Sequence, residues 1–268
     1  TAQEPDLSTS SMNNIKEDDL LDIYYKMNKI KIIKNYPDGK YIGELRNNLR
    51  DGKGIMNYKN GSKYEGDWKN NMKEGKGIIY HNNGIKYEGD WKNDKKEGKG
   101  ITIYPSGNKY EGEYEDNERK SGTYTFKNGN KYIGEFRDKR NGKGIFYYNN
   151  GNKYEGNWVE DKKDGYGVMI YGNGDNYEGN WVGEKKDGYG TMIYKNGDKY
   201  EGNWVEDQKD GYGIMLYKNG DKYEGKWVKD KREGKGVYYF SDCRYEGDFF
   251  DGKRIEDRKS GSAGMPRP

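Results

Sequence analysis

One cysteine, Cys243, and one histidine, His81, stand in 268 residues, so a single copy of the chain can build neither a disulfide nor a Cys/His zinc site. The sequence contains no Gly-x-x-x-x-Gly-Lys-Ser/Thr, Gly-x-Gly-x-x-Gly or His-Glu-x-x-His pattern. Asp161-x-x-Asp164-Gly165 is too short for a calcium loop and holds two lysines. Asn60-Gly61-Ser62 fits a glycosylation sequon but reads more simply as a turn. His81 reads as a stand-in ring and Cys243 as a packing residue. The expectation is a non-enzyme with no metal and no cofactor.

What remains to do chemistry is rings and bases. Tyr-x-Gly recurs at Tyr41, Tyr64, Tyr87, Tyr110, Tyr132, Tyr154, Tyr177, Tyr200, Tyr223 and Tyr245, always 22 or 23 residues apart. Two residues beyond each tyrosine, a glycine leads to an aromatic position, with Trp68, Trp91, Trp158, Trp181, Trp204 and Trp227 its commonest occupants. Rings with polar tips are surfaces that accept a peptide or helix. Basic residues recur just before each Gly-x-Gly, including Lys95, Lys96, Lys139, Arg140, Lys162, Lys163, Lys185 and Lys186. Such an edge meets anionic lipid at about 1 kcal/mol per base. Asp164, Asp187, Asp210 and Glu233 follow these bases and cancel much of the field within a Debye length of ~8 Å.

These positions need strands. Lys63-Tyr64-Glu65-Gly66-Asp67-Trp68 alternates ring or glycine with charge, the period of two of a β-strand. A polar loop, Asn70 to Glu74, leads to a second run, Gly75 to Tyr80, and Asn83-Gly84 then announces a tight turn. Each unit therefore reads as an antiparallel hairpin. Ten of them predict a meander of some twenty strands at roughly 4.8 Å spacing. A glycine bulge at the Asn-Gly turn would set Met56 against Tyr64 and Gly54 against Gly66; a tighter turn would shift the register by one and flip the second strand. The bulge is preferred, because it gathers rings and glycines on one face and leaves Lys63, Glu65 and Asp67 on the other. A further ring column, Tyr58, Tyr104, Phe126, Tyr148, Tyr171, Tyr194, Tyr217 and Phe240, is interrupted only by His81.

Composition agrees with a thin architecture. Leu, Ile, Val and Phe number 36 against 41 Gly and 28 Tyr, too little aliphatic carbon for a thick core. With 49 basic against 46 acidic residues the chain has no overall pull toward nucleic acid. No run approaches the roughly 18 apolar residues of a spanning helix, and the lone cysteine makes a reducing, intracellular setting the expectation.

The Y-E-G-x-W and G-x-G pattern in ten copies resembles the MORN (membrane occupation and recognition nexus) repeat. The resemblance implies an all-β, elongated, single-layer antiparallel meander solenoid with a groove along one face. It also implies a scaffold or docking role, as in junctophilins, some phosphatidylinositol phosphate kinases and cytoskeletal proteins, and with it a cytoplasmic, cytoskeletal or peripheral-membrane location. Departures sit at Leu45, Tyr114 and Phe136, where Trp is usual, and at Lys120, where the first Gly of Gly-x-Gly is missing.

The expected organisation is a disordered tail over 1–14, a capping helix and strand over 15–35, the repeat array over 36–254 and a disordered or artificial tail over 255–268. Leu20, Leu21, Ile23, Tyr24, Met27 and Ile30 fall at helical steps behind Asp18 and Asp19, as a helix that folds over the first units or serves a partner. The expected partner is a protein segment lying in a groove of Tyr64, Tyr87, Tyr110, Tyr132, Tyr154, Tyr177, Tyr200, Tyr223, Trp158, Trp181 and Trp204. The alternatives are an anionic phospholipid held by the basic edge and a regulatory piece of a larger enzyme. Tyr245, Phe249 and Phe250, at the end of an open sheet, are expected to pair two copies.

Overall fold

The computed structural model describes residues 31–255, and the expected capping helix, the N-terminal tail and all of the C-terminal tail beyond Ile255 lie outside them. The described residues form 21 strands and no helix. The chain divides into two units between Lys127 and Asn128. The first holds β1 (Ile32–Tyr36), β2 (Gly39–Arg46), β3 (Leu49–Tyr58), β4 (Lys63–Lys69), β5 (Met72–Tyr80), β6 (Lys86–Lys92), β7 (Lys95–Ile103), β8 (Lys109–Glu115) and β9 (Glu118–Thr125). The second holds β10 (Lys131–Arg137), β11 (Lys139–Tyr147), β12 (Lys153–Val159), β13 (Lys162–Ile170), β14 (Asn176–Val182), β15 (Lys185–Ile193), β16 (Lys199–Val205), β17 (Gln208–Leu216), β18 (Lys222–Val228), β19 (Lys231–Tyr239), β20 (Arg244–Phe250) and β21 (Lys253–Arg254). Within each unit every strand pairs antiparallel with the next, giving an all-β open meander.

The register is the bulged one, with Met56 opposite Tyr64 and Gly54 opposite Gly66. At the longer turns Gly61 bonds back to Tyr58, Tyr58 bonds to Ser62, and Gly61 has φ of 86°, a type I turn closed by a left-handed residue. The polar loop expected over Asn70 to Glu74 is shorter than the sequence suggested. It is the two-residue turn Asn70-Asn71, and β5 already begins at Met72. Both turn residues have positive φ (48° and 69°), the mirror-image turn whose twist matches the flanking strands and which asparagine tolerates. The second turn residue also ties units together, since Asn71 Oδ1 accepts from the Arg50 amide at 2.8 Å and the Asn71 amide donates to the Arg50 carbonyl at 2.9 Å.

Gly75 explains the first glycine of Gly-x-Gly. Between the pairs Gly66–Gly77 and Trp68–Lys73, three residues stand opposite Asp67 alone, and Gly75 takes φ of 67° to make that bulge. In the unit that has Lys120 instead, Glu113 pairs with Ser121 and Tyr114 with Arg119, so the bulge shrinks to Lys120 itself. The departure is a local shortening that the repeat absorbs.

The second glycine serves the rings. A Cβ on Gly167 would lie 2.6 Å from the Tyr154 Cζ, and one on Gly156 opposite it 2.6 Å from the Gly167 Cα and from the Tyr154 hydroxyl, so only glycine at both places lets that ring lie flat across two strands. The hydroxyl then reaches the Asn157 carbonyl at 3.1 Å, as Tyr64 reaches Asp67 at 3.0 Å. One face of each unit is thereby a layer of rings over backbone.

Candidate docking faces

The ring face is a core. Tyr154 stands edge-on to Trp158 at 5.2 Å and to Trp181 of the following repeat at 5.4 Å, and Tyr64 does the same with Trp68 and Trp91 at 5.0 and 5.3 Å. Edge-to-face pairs at this distance add about 0.5–1.5 kcal/mol beyond burial. Each indole nitrogen also donates to a glycine carbonyl of the preceding repeat, as Trp158 does to Gly144 at 3.2 Å. The nine tyrosines from Tyr41 to Tyr223 are 0% exposed. Burial pushes their hydroxyls well above the ordinary tyrosine value.

The residues expected to form the partner groove, Tyr64, Tyr87, Tyr110, Tyr132, Tyr154, Tyr177, Tyr200 and Tyr223 with Trp158, Trp181 and Trp204, are therefore all buried, none more than 2% exposed. The physical reason is the glycine pair, which draws each ring down onto the sheet. His81 occupies the half-buried turn position of Tyr58 and Tyr104, as the ring-column reading has it, and burial with Lys96 and Lys73 nearby lowers its pKa.

The basic edge divides in two. Lys96, Arg140, Lys163 and Lys186 fold over rings, with Arg140 4.4 Å from the centre of Trp158, Lys163 4.4 Å from Trp181 and Lys186 4.5 Å from Trp204. Lys96 lies 4.7 Å from Tyr87. Their charges roof the ring layer. Lys95, Lys139 and Lys185 point outward and pair with Asp116, Glu160 and Glu206 of the next turn. Lys162, at the start of β13, is exposed beside them in sequence.

The opposite face of each unit is the accessible one, and its columns differ between the units. In the first unit a trough of about 780 Å³ runs across the strands. Its floor is the backbone at Gly54, Gly66, Gly77, Gly89, Gly100 and Gly112. One wall alternates Ile55, Glu65, Ile78, Glu88, Ile101 and Glu111, directly cross-strand from one another; the other carries Lys53, Lys76 and Lys99. Lys53 and Lys76 bridge to Asp67 and Asp90 of the next strand.

In the second unit the residue between the two glycines is tyrosine in three successive repeats. Tyr166, Tyr189 and Tyr212 are 53%, 55% and 56% exposed, and their hydroxyls donate to Glu178, Glu201 and Glu224. Val159, Val182 and Val205 and, along the other flank, Ile170, Ile193 and Leu216 are exposed on the same face. The columns named from sequence missed these positions. The signal was present in the change from Gly-Lys-Gly to Gly-Tyr-Gly at residues 165, 188 and 211.

At the C-terminal end the three residues expected to pair two copies are not equivalent. Phe249 is buried against Tyr223 and Tyr245 at 4.9 and 5.4 Å, Tyr245 is half-buried with its hydroxyl on the Ile255 carbonyl, and Phe250 is exposed. The last edge is partly covered, because β21 pairs Phe249 with Arg254.

The MORN-repeat family model matches ten successive segments, residues 41–63, 64–86, 87–109, 110–131, 132–153, 154–176, 177–199, 200–222, 223–242 and 245–254. The chain belongs to the MORN-repeat family. No curated protein matches it. Among solved structures it is similar to the TCP10 domain of Danio rerio CPAP in complex with a STIL peptide, at 15% identity and a TM-score of 0.48, covering 86% of this chain and 99% of that one. The same Danio rerio domain without peptide gives 12% and 0.43, covering 69% and 86%. The TCP domain of Drosophila melanogaster SAS-4 with a proline-rich motif of Ana2 gives 14% and 0.38, covering 57% and 85%.

Proposed function

We propose that this chain is a non-catalytic scaffold that docks a protein segment, helical or extended, along the face opposite its buried rings, in a cytoskeletal or membrane-associated assembly. The observation that carries the reading is the trough of the first unit. It offers a flat glycine floor, half-exposed isoleucines at regular spacing and charges of both signs on its walls, the apolar centre and polar rim of a protein interface. The buried rings give that face a rigid backing, which lowers the ordering cost of binding.

Affinity capture with the intact protein, compared across two variants, tests this. Ile78→Lys with Ile101→Lys places cations between existing glutamates, a change the face accommodates, yet removes the apolar wall. Partners captured by the natural protein are expected to be lost from this variant and kept by Lys95→Glu, Lys139→Glu, Lys162→Glu, Lys185→Glu. The reverse pattern, with binding to vesicles containing anionic lipid abolished by the edge variant, would move the membrane-tether reading to first place.

A further inference from the structure

The open face of the second unit has its own geometry. Tyr166, Tyr189 and Tyr212 lie on β13, β15 and β17, two strands apart, hence about 9.6 Å from one column to the next. The shorter Asn180 and Asn203 stand between them, directly opposite Tyr166 and Tyr189 in the ladder. Each ring leans toward the next strand, because its hydroxyl bonds a glutamate there. The result is three aromatic ridges and two slots at equal spacing.

That spacing selects among ligand conformations. A polyproline II segment repeats its face every three residues and rises about 3.1 Å per residue, about 9.3 Å per turn, which falls within roughly 0.3 Å of the slot spacing. A β-strand returns to one face every two residues, about 6.8 Å, and its third residue points away. An α-helix returns after seven residues, about 10.5 Å, and is already roughly 1.8 Å out of step over two slots. Aromatic ridges with intervening slots are also the surface on which proline rings dock.

Charge identifies the rest of the ligand. Glu201 and Glu224 are bridged by Lys199 and Lys222, but the position equivalent to those lysines beside Glu178 is Asn176. Glu178 keeps the Tyr166 hydroxyl as its hydrogen-bond donor and no ion pair is seen there among the described residues.

We propose that the tyrosine face of the second unit docks a proline-rich segment in the polyproline II conformation, running across the strands, with prolines in the slots over Asn180 and Asn203 and a basic side chain on Glu178. The proposal extends the docking reading to a second face of different chemistry. The first unit carries Lys53, Lys76 and Lys99 at the positions equivalent to these tyrosines, so the two faces would select different segments.

The test uses two labelled peptides of equal length and charge, oligomers of Pro-Pro-Arg and of Gly-Ser-Arg long enough to span the three tyrosines, with binding to the full chain read by fluorescence anisotropy. The proline peptide is expected to bind about tenfold more tightly than the glycine peptide, and the triple variant Tyr166→Lys, Tyr189→Lys, Tyr212→Lys to remove that advantage. Lysine is native to these positions in the first unit, so the variant is expected to fold. Glu178→Gln should weaken the proline peptide several-fold without affecting the glycine peptide equally. Equal affinity for the two peptides, an undiminished advantage in the triple variant, or no saturable binding of either would overturn the proposal. Ile78→Lys with Ile101→Lys should leave the proline peptide bound, so failure of the trough reading and failure of this one are separable.

Discussion

The guanidinium of Arg140 lies 4.4 Å from the centre of the Trp158 ring while its Nε donates to Asp161 Oδ1 at 2.8 Å. This pair explains why a column of bases can run beside a column of rings without forming a free cationic edge: the charge is spent on the ring and on the next turn's carboxylate. Arg140→Met keeps the apolar stem and removes both contacts. It is expected to lower stability by about 1–2 kcal/mol, read as the shift in urea midpoint by tryptophan fluorescence, and Arg140→Lys by less, since Lys163 makes the same ring contact over Trp181.

Alkaline pH should unfold the protein steeply. Burial raises the hydroxyls of Tyr58, Tyr148, Tyr171, Tyr194 and Tyr223 to about 12 and those of Tyr64, Tyr154, Tyr177 and Tyr200 further. A raised folded value means the folded state holds protons that the unfolded state releases above about pH 10. Their stabilisation is complete below pH ~10 and falls by about 1.4 kcal/mol per pH unit per tyrosine between there and the folded value. Lys73, Lys96, Lys186 and Lys209 are lowered, chiefly by burial, and act oppositely, adding stability as pH rises toward their ordinary value of 10.5. The expected profile is a modest rise to about pH 10 and a sharp loss above it. Absorbance of tyrosinate followed together with circular dichroism should show both changing in one transition; independent titration of the tyrosines in folded protein would contradict it.

Three of the mirror-image turns carry poor residues at their first position. Glu160, Glu206 and Lys229 have φ of 49°, 46° and 46°, a region that costs an ordinary side chain about 1 kcal/mol and asparagine less. Asn70 shows the preferred residue with φ of 48° at the same place. Lys229→Asn is expected to raise stability by about 0.5–1 kcal/mol. An unchanged or lower denaturation midpoint would show that the Lys229 side chain makes an offsetting contribution.

The repeat, its hairpins and their register were readable because Tyr-x-Gly, Gly-x-Gly and Asn-Gly each fix one local geometry, and ten copies remove the ambiguity of any one. The face assignment was equally readable, since Tyr64, Gly66 and Trp68 alternate with Lys63, Glu65 and Asp67. Accessibility was not. Whether a ring such as Tyr154 stands up into a groove or lies down over Gly156 and Gly167 depends on backbone closeness across two strands, which alternation alone does not report. The same limit hid the roofing role of Lys163, whose partner ring, Trp181, is 18 residues away in sequence. Tyr166 is hidden for a different reason: it stands at a position where the repeats differ, which the shared pattern leaves open.

The last repeat separates two neighbouring phenylalanines that look alike in sequence. Phe249 is 1% exposed, wedged between Tyr223 and Tyr245 with Arg232 over it at 5.4 Å, whereas Phe250 is 66% exposed on the other face of β20. A carboxylate at position 249 would be forced against rings, and a buried, poorly paired charge costs several kcal/mol. In a repeat array that loss stays near its origin, because each unit contacts only its neighbours. Phe249→Asp is therefore expected to abolish hydrogen-exchange protection from about residue 244 to 255 while amides of β12 to β15 keep theirs. Phe250→Asp should leave protection everywhere unchanged and move stability by less than about 0.5 kcal/mol. It is thus the variant able to report on self-association through this end, for a fall in light-scattering mass with Phe250→Asp cannot be ascribed to an unfolded last repeat.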